Sequence, residues 1–315
     1  MIVTMTPNPS LDHTVEVDAL RRGEVLRALR SHVEPGGKGV NVSRALAAHG
    51  RKTTAVLFTG GVEGGRLTDL LDAQGVSVRE VRVAGDTRTN LTLAEPDGTV
   101  TKLNLPGPGC GETDIEALLG AVRGACGEGT EWVAGCGSLP PRAPADTYAR
   151  LVRLAHDAGV RVAVDSSDAA LEHCLPAGPD LVKPNREELA ACAGTAVPTL
   201  GAAVRAARLL RDRGARAVLA SLGADGAVLV DEHGAVHGEA PVAAALSSVG
   251  AGDALLAGFL AAGGTGREAL ATALAWGAAA TGLPGSRMPA PADIDRIDVV
   301  IHPAVDADRV LEEGR

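Results

Sequence analysis

Short β-branched runs alternate with longer helical patterns along this chain, and that alternation constrains the fold more than any other feature. "IVTM", "TTAVLFT", "EWVAGC", "RVAVDSS", "DLVKPN" and "ARAVLASLG" are short, apolar and bounded by Gly, Pro or polar residues, as buried strands are. Helical patterns cover Gly39–His49, Arg66–Gln74, Ala145–Ala158 and Leu200–Arg213, each stopped by the glycine that follows it. This order predicts a mostly parallel sheet with helices on both faces. The 315 residues, 45% of them hydrophobic, suffice for one large α/β domain over 1–315.

Two stretches break the rhythm. Segments 12–34 and 86–105 carry a period of two without a helix, and "NLTLAEPDGTVTKLNL" has the Pro-Asp-Gly bend of a hairpin. They read as a small sheet projecting from the body as a lid.

The net charge of −9, with no basic block, weighs against nucleic acid as a partner. No apolar run reaches the roughly 18 residues of a membrane span. "MIVTMTPNPS" begins like a buried strand and lacks a charged leader, so no signal peptide is expected. Five scattered cysteines without a C-x-x-C pair read as reduced thiols in a cytoplasmic protein. Only four of the 30 basic residues are lysine, and only five residues are asparagine. Lys38, Lys183, Asn41, Asn90 and Asn185 all fall in segments that could carry chemistry.

Foremost among these segments is "SSVGAGDALLAGFL", where Asp253 follows Gly250, Ala251 and Gly252 at the start of an apolar helix. An acid in a first helical turn can simply stabilise its helix. The two glycines add a second reading, because they let consecutive amides turn toward one point and form an anion nest. Phosphoryl transfer needs both a charge-stabilising nest and a base near the attacking hydroxyl.

"EPGGKGVNVSRAL" fails the Walker A spacing, yet its paired glycines allow close ligand approach at a helix start, with Lys38 and Asn41 as donors. A plain turn before an amphipathic helix is the competing reading. Asp12 of "TPNPSLDHT" follows the first strand, where open α/β sheets bind ligands and a carboxylate suits sugar hydroxyls. An Asx turn would explain it equally. Arg27 of "EVLRALR", with Arg88 and Asn90 of "GDTRTNLTL", lies on the lid segments, and arginine suits forked contacts with phosphate. In "LVKPNREEL", Asn185 and Glu188 form either a capping box or, with Lys183, a site for nucleotide phosphates and water-bound Mg²⁺. "LASLGADGAVLV" is a hairpin whose turn could also present amides to phosphates.

Taken together, "TPNPSLD", "PGGKGVNVSRAL", "TRTNLTL", "GSLPP", "DSS", "LVKPNREEL", "SLGADGAVLV" and "VGAGDALLAGFL" resemble the phosphofructokinase B family of carbohydrate kinases, in family order over nearly the whole chain. The resemblance implies a ribokinase-like three-layer αβα body of Rossmann type and a small β-sheet lid that often helps form a homodimer. It also implies ATP with Mg²⁺ as phosphoryl donor. Asp253 matches the family's base, and Gly250, Ala251 and Gly252 its anion hole. Asp12, Gly37, Lys38 and Asn41 match sugar-binding positions; Arg27, Arg88 and Ser138 match positions that hold the substrate's phosphate. Lys183, Asn185 and Glu188 match the nucleotide–magnesium segment, and Ser221, Gly223 and Gly226 the nucleotide-phosphate turn. "TRTN", "DSS" and "LVKPN" look like the 1-phosphofructokinase branch, which implies fructose 1-phosphate as substrate. Tagatose-6-phosphate kinase or 6-phosphofructokinase activity is the alternative. A silent sugar-phosphate sensor would have no need of Asp253, and "GGVEGG" lacks the dinucleotide order. The turn departs from the family's usual pattern at Ser248 and Ala254, neither of which removes the acid or the amides.

Overall fold

The structure is a computed structural model that describes residues 1–242 and 246–312. The chain opens with β1 (Ile2–Thr6), then β2 (Ser10–Glu16) and β3 (Arg30–Gly36), and enters α1 (Lys38–Ala48). Next come β4 (Thr53–Thr59), α2 (Gly61–Asp72), β5 (Ser77–Arg82), β6 (Arg88–Ala94) and β7 (Val100–Leu103). The middle third is α3 (Glu112–Ala125), β8 (Trp132–Cys136), α4 (Thr147–Asp157), β9 (Arg161–Asp165) and α5 (Asp168–Cys174). Then follow β10 (Leu181–Val182), α6 (Arg186–Ala193), α7 (Leu200–Asp212) and the strands β11 (Val218–Ser221), β12 (Ala227–Asp231) and β13 (Gly234–Glu239). The chain closes with α8 (Ala251–Ala261), α9 (Gly266–Thr281), α10 (Pro291–Ile294) and β14 (Val300–Ile301).

Ten strands form the main sheet in the order β14-β13-β12-β11-β10-β9-β8-β1-β4-β5. Pairing is parallel from β5 to β11 and antiparallel from β11 to β14. Strand order reverses between β1 and β8, and such a switch point opens a crevice at the carboxyl ends of the strands. Alternation along β1 sorts its side chains: Val3 and Met5 join the cluster under α3 and α4, and Ile2 joins the cluster under α8 and α9.

A second, four-stranded sheet has the order β3-β2-β6-β7. It is built from two insertions, one after β1 and one after β5, as the period-two segments predict. Both leave the body on the crevice side. Helices expected over 39–49, 145–158 and 200–213 form within two residues of those bounds, while α2 starts five residues early, at Gly61. Burial of Leu67 and Leu71, with Glu63 in the first turn, holds that glycine-rich start helical. Helix α9 is buried on most sides, so its sequence lacks the polar face that marks a surface helix. All five cysteines are free. Among the described residues, no helix is long and apolar enough to cross a membrane.

Candidate active site

Helix α8 begins at Gly250, which sits in the left-handed region at φ 79°, and a Cβ there would stand 2.6 Å from Met288 Cε. The left-handed backbone is what favours glycine there. The turn leaves the amides of Gly252 and Asp253 without an acceptor among the described residues, and that of Ala251 with one long contact of 3.4 Å to Ser248 O. Lys183 Nζ stands 3.4 Å from where a Gly252 Cβ would be, so an ammonium faces the same point as the amides. A helix start, open amides and a nearby ammonium are features that favour an anion.

Asp253 is the next residue, 8% exposed, with Oδ2 accepting 2.9 Å from Asn41 Nδ2. Burial and then the Asp165 carboxylate push its acid up to about 6, while the Asn41 hydrogen bond, Lys183 and Lys38 restrain the rise. An aspartate so tuned is ionised, and able to accept a proton, at neutral pH.

Asp165 ends β9 fully buried, paired at 2.8 Å with Lys38 and at 3.1 Å with Lys183. Burial opposes its charge, but the two lysines outweigh that cost and hold its pKa low. Lys38, expected among the sugar contacts, is drawn into this group because the buried Asp165 needs countercharge. Its amine also pairs with Glu188 at 3.1 Å. Burial works against the Lys38 charge, yet Asp165 and Glu188 more than offset it and raise the pKa. Asn185 caps α6 by accepting from the Glu188 amide at 2.8 Å, and Glu188 Oε2 accepts from the Asn185 amide at 2.9 Å. The capping box therefore forms, and the other Glu188 oxygen, Oε1, turns to Lys38. Beside it, Asn185 bridges to Ser221, and the turn over Gly223–Asp225 closes through Leu222 N to Gly226 O at 2.8 Å.

On the lid side, Asp12 accepts from Ser10 Oγ at 2.8 Å and from Asn90 Nδ2 at 2.9 Å. Gly36, opposite Ser10 in the ladder, lies so close that a Cβ there would collide with the Asp12 carboxylate. Gly37 is the N-cap of α1. Arg88 donates to Asn8 O at 3.0 Å and Leu105 O at 2.9 Å, and Asn8 Nδ2 donates to Ser138 Oγ at 3.3 Å. Arg27 lies exposed in the loop between β2 and β3 and meets none of these residues.

Buried polar atoms normally find partners. Among the described residues the exceptions are Thr6 Oγ1, Asn8 Oδ1, Arg88 Nε, Asn90 Oδ1, Trp132 Nε1 and Asp165 Oδ2, the last having only its ion pair. All but Trp132 Nε1 lie around this crevice. Sequence reading passed over Asn8, Arg44 and Asp165. The available signal for Asp165 was an acid ending an apolar strand, "RVAVD".

A buried acid of raised pKa beside an amide turn, on an α/β switch-point crevice under a β lid, defines a small-molecule phosphotransferase. Residues 5–293 match the model described as pfkB family carbohydrate kinase. The 1-phosphofructokinase of Rhodobacter capsulatus is 38% identical over 92% of this chain and 93% of its own length. That of Haloferax volcanii is 39% identical with the same coverage. The crystal structure of phosphofructokinase-2 from Escherichia coli in complex with fructose-6-phosphate superposes with a TM-score of 0.86 at 31% identity, covering 94% of this chain and 97% of that one. The chain belongs to the pfkB family of carbohydrate kinases. Its fold is ribokinase-like, and its activity is that of an ATP-dependent sugar-phosphate kinase.

Proposed function

We propose that this chain transfers the γ-phosphoryl group of ATP to the C6 hydroxyl of fructose 1-phosphate, giving fructose 1,6-bisphosphate and ADP. The observation that carries the chemistry is the buried Asp253, its acid near 6, at the mouth of the Gly250–Gly252 turn beside Lys183. Asp253 takes the hydroxyl proton as the oxygen attacks, and the amides and Lys183 stabilise the charge on the moving group. Asp12, Asn90, Asn41 and the Gly37 backbone hold the sugar hydroxyls. Arg88, kept in place by two carbonyls, receives the substrate's phosphate together with Ser138. Asn185, Ser221, Gly223 and Gly226 line the nucleotide, and Lys38 neutralises phosphate charge from the Asp165 side.

The donor set fits water-bound Mg²⁺. Glu188 is held through both oxygens yet keeps lone pairs free, and this small hard ion takes oxygen ligands while retaining several waters. Bound there, Mg²⁺ offsets the charge of the nucleotide phosphates. On the lid, Val25 and Leu29 in the β2–β3 loop and Val100 and Leu103 on β7 are exposed; a second copy covering such apolar residues would make a homodimer, and one covering the β2–β3 loop would bring Arg27 to the interface.

The substrate follows the two named relatives. Because the Escherichia coli structure is a fructose-6-phosphate complex, 6-phosphofructokinase activity is the second reading. ADP release measured with fructose 1-phosphate, fructose 6-phosphate and tagatose 6-phosphate separates them. The expected result is the highest kcat/KM with fructose 1-phosphate; a clear preference for either 6-phosphate overturns the assignment.

A further inference from the structure

Arg44 has no part in the chemistry above, yet it is 5% exposed and its guanidinium meets five acceptors. Nη1 donates to Asn41 Oδ1 at 3.0 Å, Pro35 O at 2.9 Å and Ser286 O at 3.1 Å. Nη2 reaches Glu34 Oε1 at 3.3 Å, and Nε reaches Gln74 Oε1 at 2.8 Å. These acceptors belong to different parts of the site. Asn41 is the residue that donates to Asp253. Glu34 and Pro35 lie on lid strand β3, with Glu34 opposite Asp12 in the ladder. Ser286 follows α9, and its amide and hydroxyl donate to Glu34 Oε2 at 3.1 and 3.0 Å. One residue earlier, Gly285 O accepts from Ser247 Oγ at 2.9 Å, and Ser247 Oγ in turn accepts from the Val249 amide at 3.1 Å. That leads straight into the Gly250 turn.

Two continuous routes therefore run from the root of the lid to the candidate machinery. One passes from Glu34 through Arg44 and Asn41 to Asp253. The other passes from Glu34 through the Gly285–Ser286 peptide and Ser247 to the anion turn. We propose that Arg44 and Glu34 are positioning residues that tie the placement of the lid root to the orientation of Asp253 and of the amides before it. The inference rests on the reading of Asp253 as the base. Its physical content is geometric. A planar guanidinium fixes several acceptors at once, which a lysine ammonium on a flexible stem does not. With Arg44 in place, the Asn41 amide keeps Oδ1 toward the guanidinium and Nδ2 toward Asp253. Once that hold is released, the donor to Asp253 is free to turn away.

The groups that face Asp253 are Asn41, Lys38 and Arg44 from α1, Asp165 from the end of β9 and Lys183 from beyond β10. Because the Asn41 hydrogen bond lowers the Asp253 pKa, its loss moves the acid limb of kcat/KM to higher pH. The test uses the full chain with ATP and fructose 1-phosphate, and compares wild type, Arg44→Lys, Glu34→Gln and their double variant across pH 5–9. Arg44→Lys is expected to lower kcat by about 10–100-fold, the scale of a misplaced catalytic group, with the acid limb shifted upward and KM for ATP little changed. Glu34→Gln is expected to move kcat in the same direction, and the double variant to lose less than the sum of the two. Glu34→Gln keeps size and shape, so it remains informative if Arg44→Lys fails to fold. Wild-type kcat and an unmoved acid limb in the folded variants would overturn the inference. Failure of the underlying reading is separate: it shows as full turnover by Asp253→Asn, whatever the Arg44 and Glu34 variants do.

Discussion

Asp253 carries an unfavourable charge in the folded chain, and that cost has a measurable sign. The folded acid keeps its proton up to about pH 6, whereas an unfolded aspartate releases it near about 3.9. Between those values the native state binds more protons, so stability falls as pH rises through that window, and the loss is complete above it. Asp253→Asn removes the charge while keeping the shape. It should stabilise the chain at pH 7.5 by on the order of 1–3 kcal/mol, with the gap closing near pH 4. Calorimetry checks this: Tm of the variant is expected above wild type at pH 7.5, and a Tm below it would show that the carboxylate is favourably placed. Asp253 was legible in the sequence because its context is local, two glycines and a helix start within four residues. Asp165 and the Arg44–Ser286 link were harder to read, because those partners are remote. Lys38 and Asp165 stand 127 residues apart, and Arg44 and Ser286 stand 242 apart.

Among the elements, α8 carries the site and α9 supports it. Their contact depends on small residues: a Cβ at Gly258 would lie 2.9 Å from Trp276 Cγ and 2.9 Å from Thr272 O. Gly258→Ala gains up to about 1 kcal/mol of helix propensity but forces strain of roughly 1–3 kcal/mol into a packed interface. A net loss of about 1 kcal/mol follows, seen as a lower urea midpoint at unchanged m-value. A raised midpoint would mean that the helices part at no cost. The apolar run of α8 was readable after its glycine turn. Helix α9 was not, since burial on most sides erased the polar face that a period of 3.6 needs. The lid strands were readable from their period of two, and the segment ends fall within a few residues of β2, β3, β6 and β7.

For the whole molecule, sequence order predicted a mainly parallel sheet, but it did not show which strands are neighbours. Pairing of β1 with both β4 and β8 is non-local, and it creates the switch point beside the candidate site. The four-stranded lid ends in unpaired edges at β3 and β7 and exposes Val100 and Leu103. A lid-mediated dimer should sediment as one species, and Val100→Asp with Leu103→Asp should shift it to monomer with weaker sugar-phosphate binding. A wild-type monomer of full activity would argue against the dimer. The central claim is that Asp253 deprotonates the sugar hydroxyl beside the amide turn. Its most direct test is kcat for ADP release from ATP and fructose 1-phosphate, measured across pH 5–9 in wild type and Asp253→Asn. The account predicts a wild-type acid limb of kcat/KM near pH 6 and a variant kcat lower by at least about 10²–10⁴-fold with the fold intact. A folded variant that turns over at the wild-type rate would contradict it.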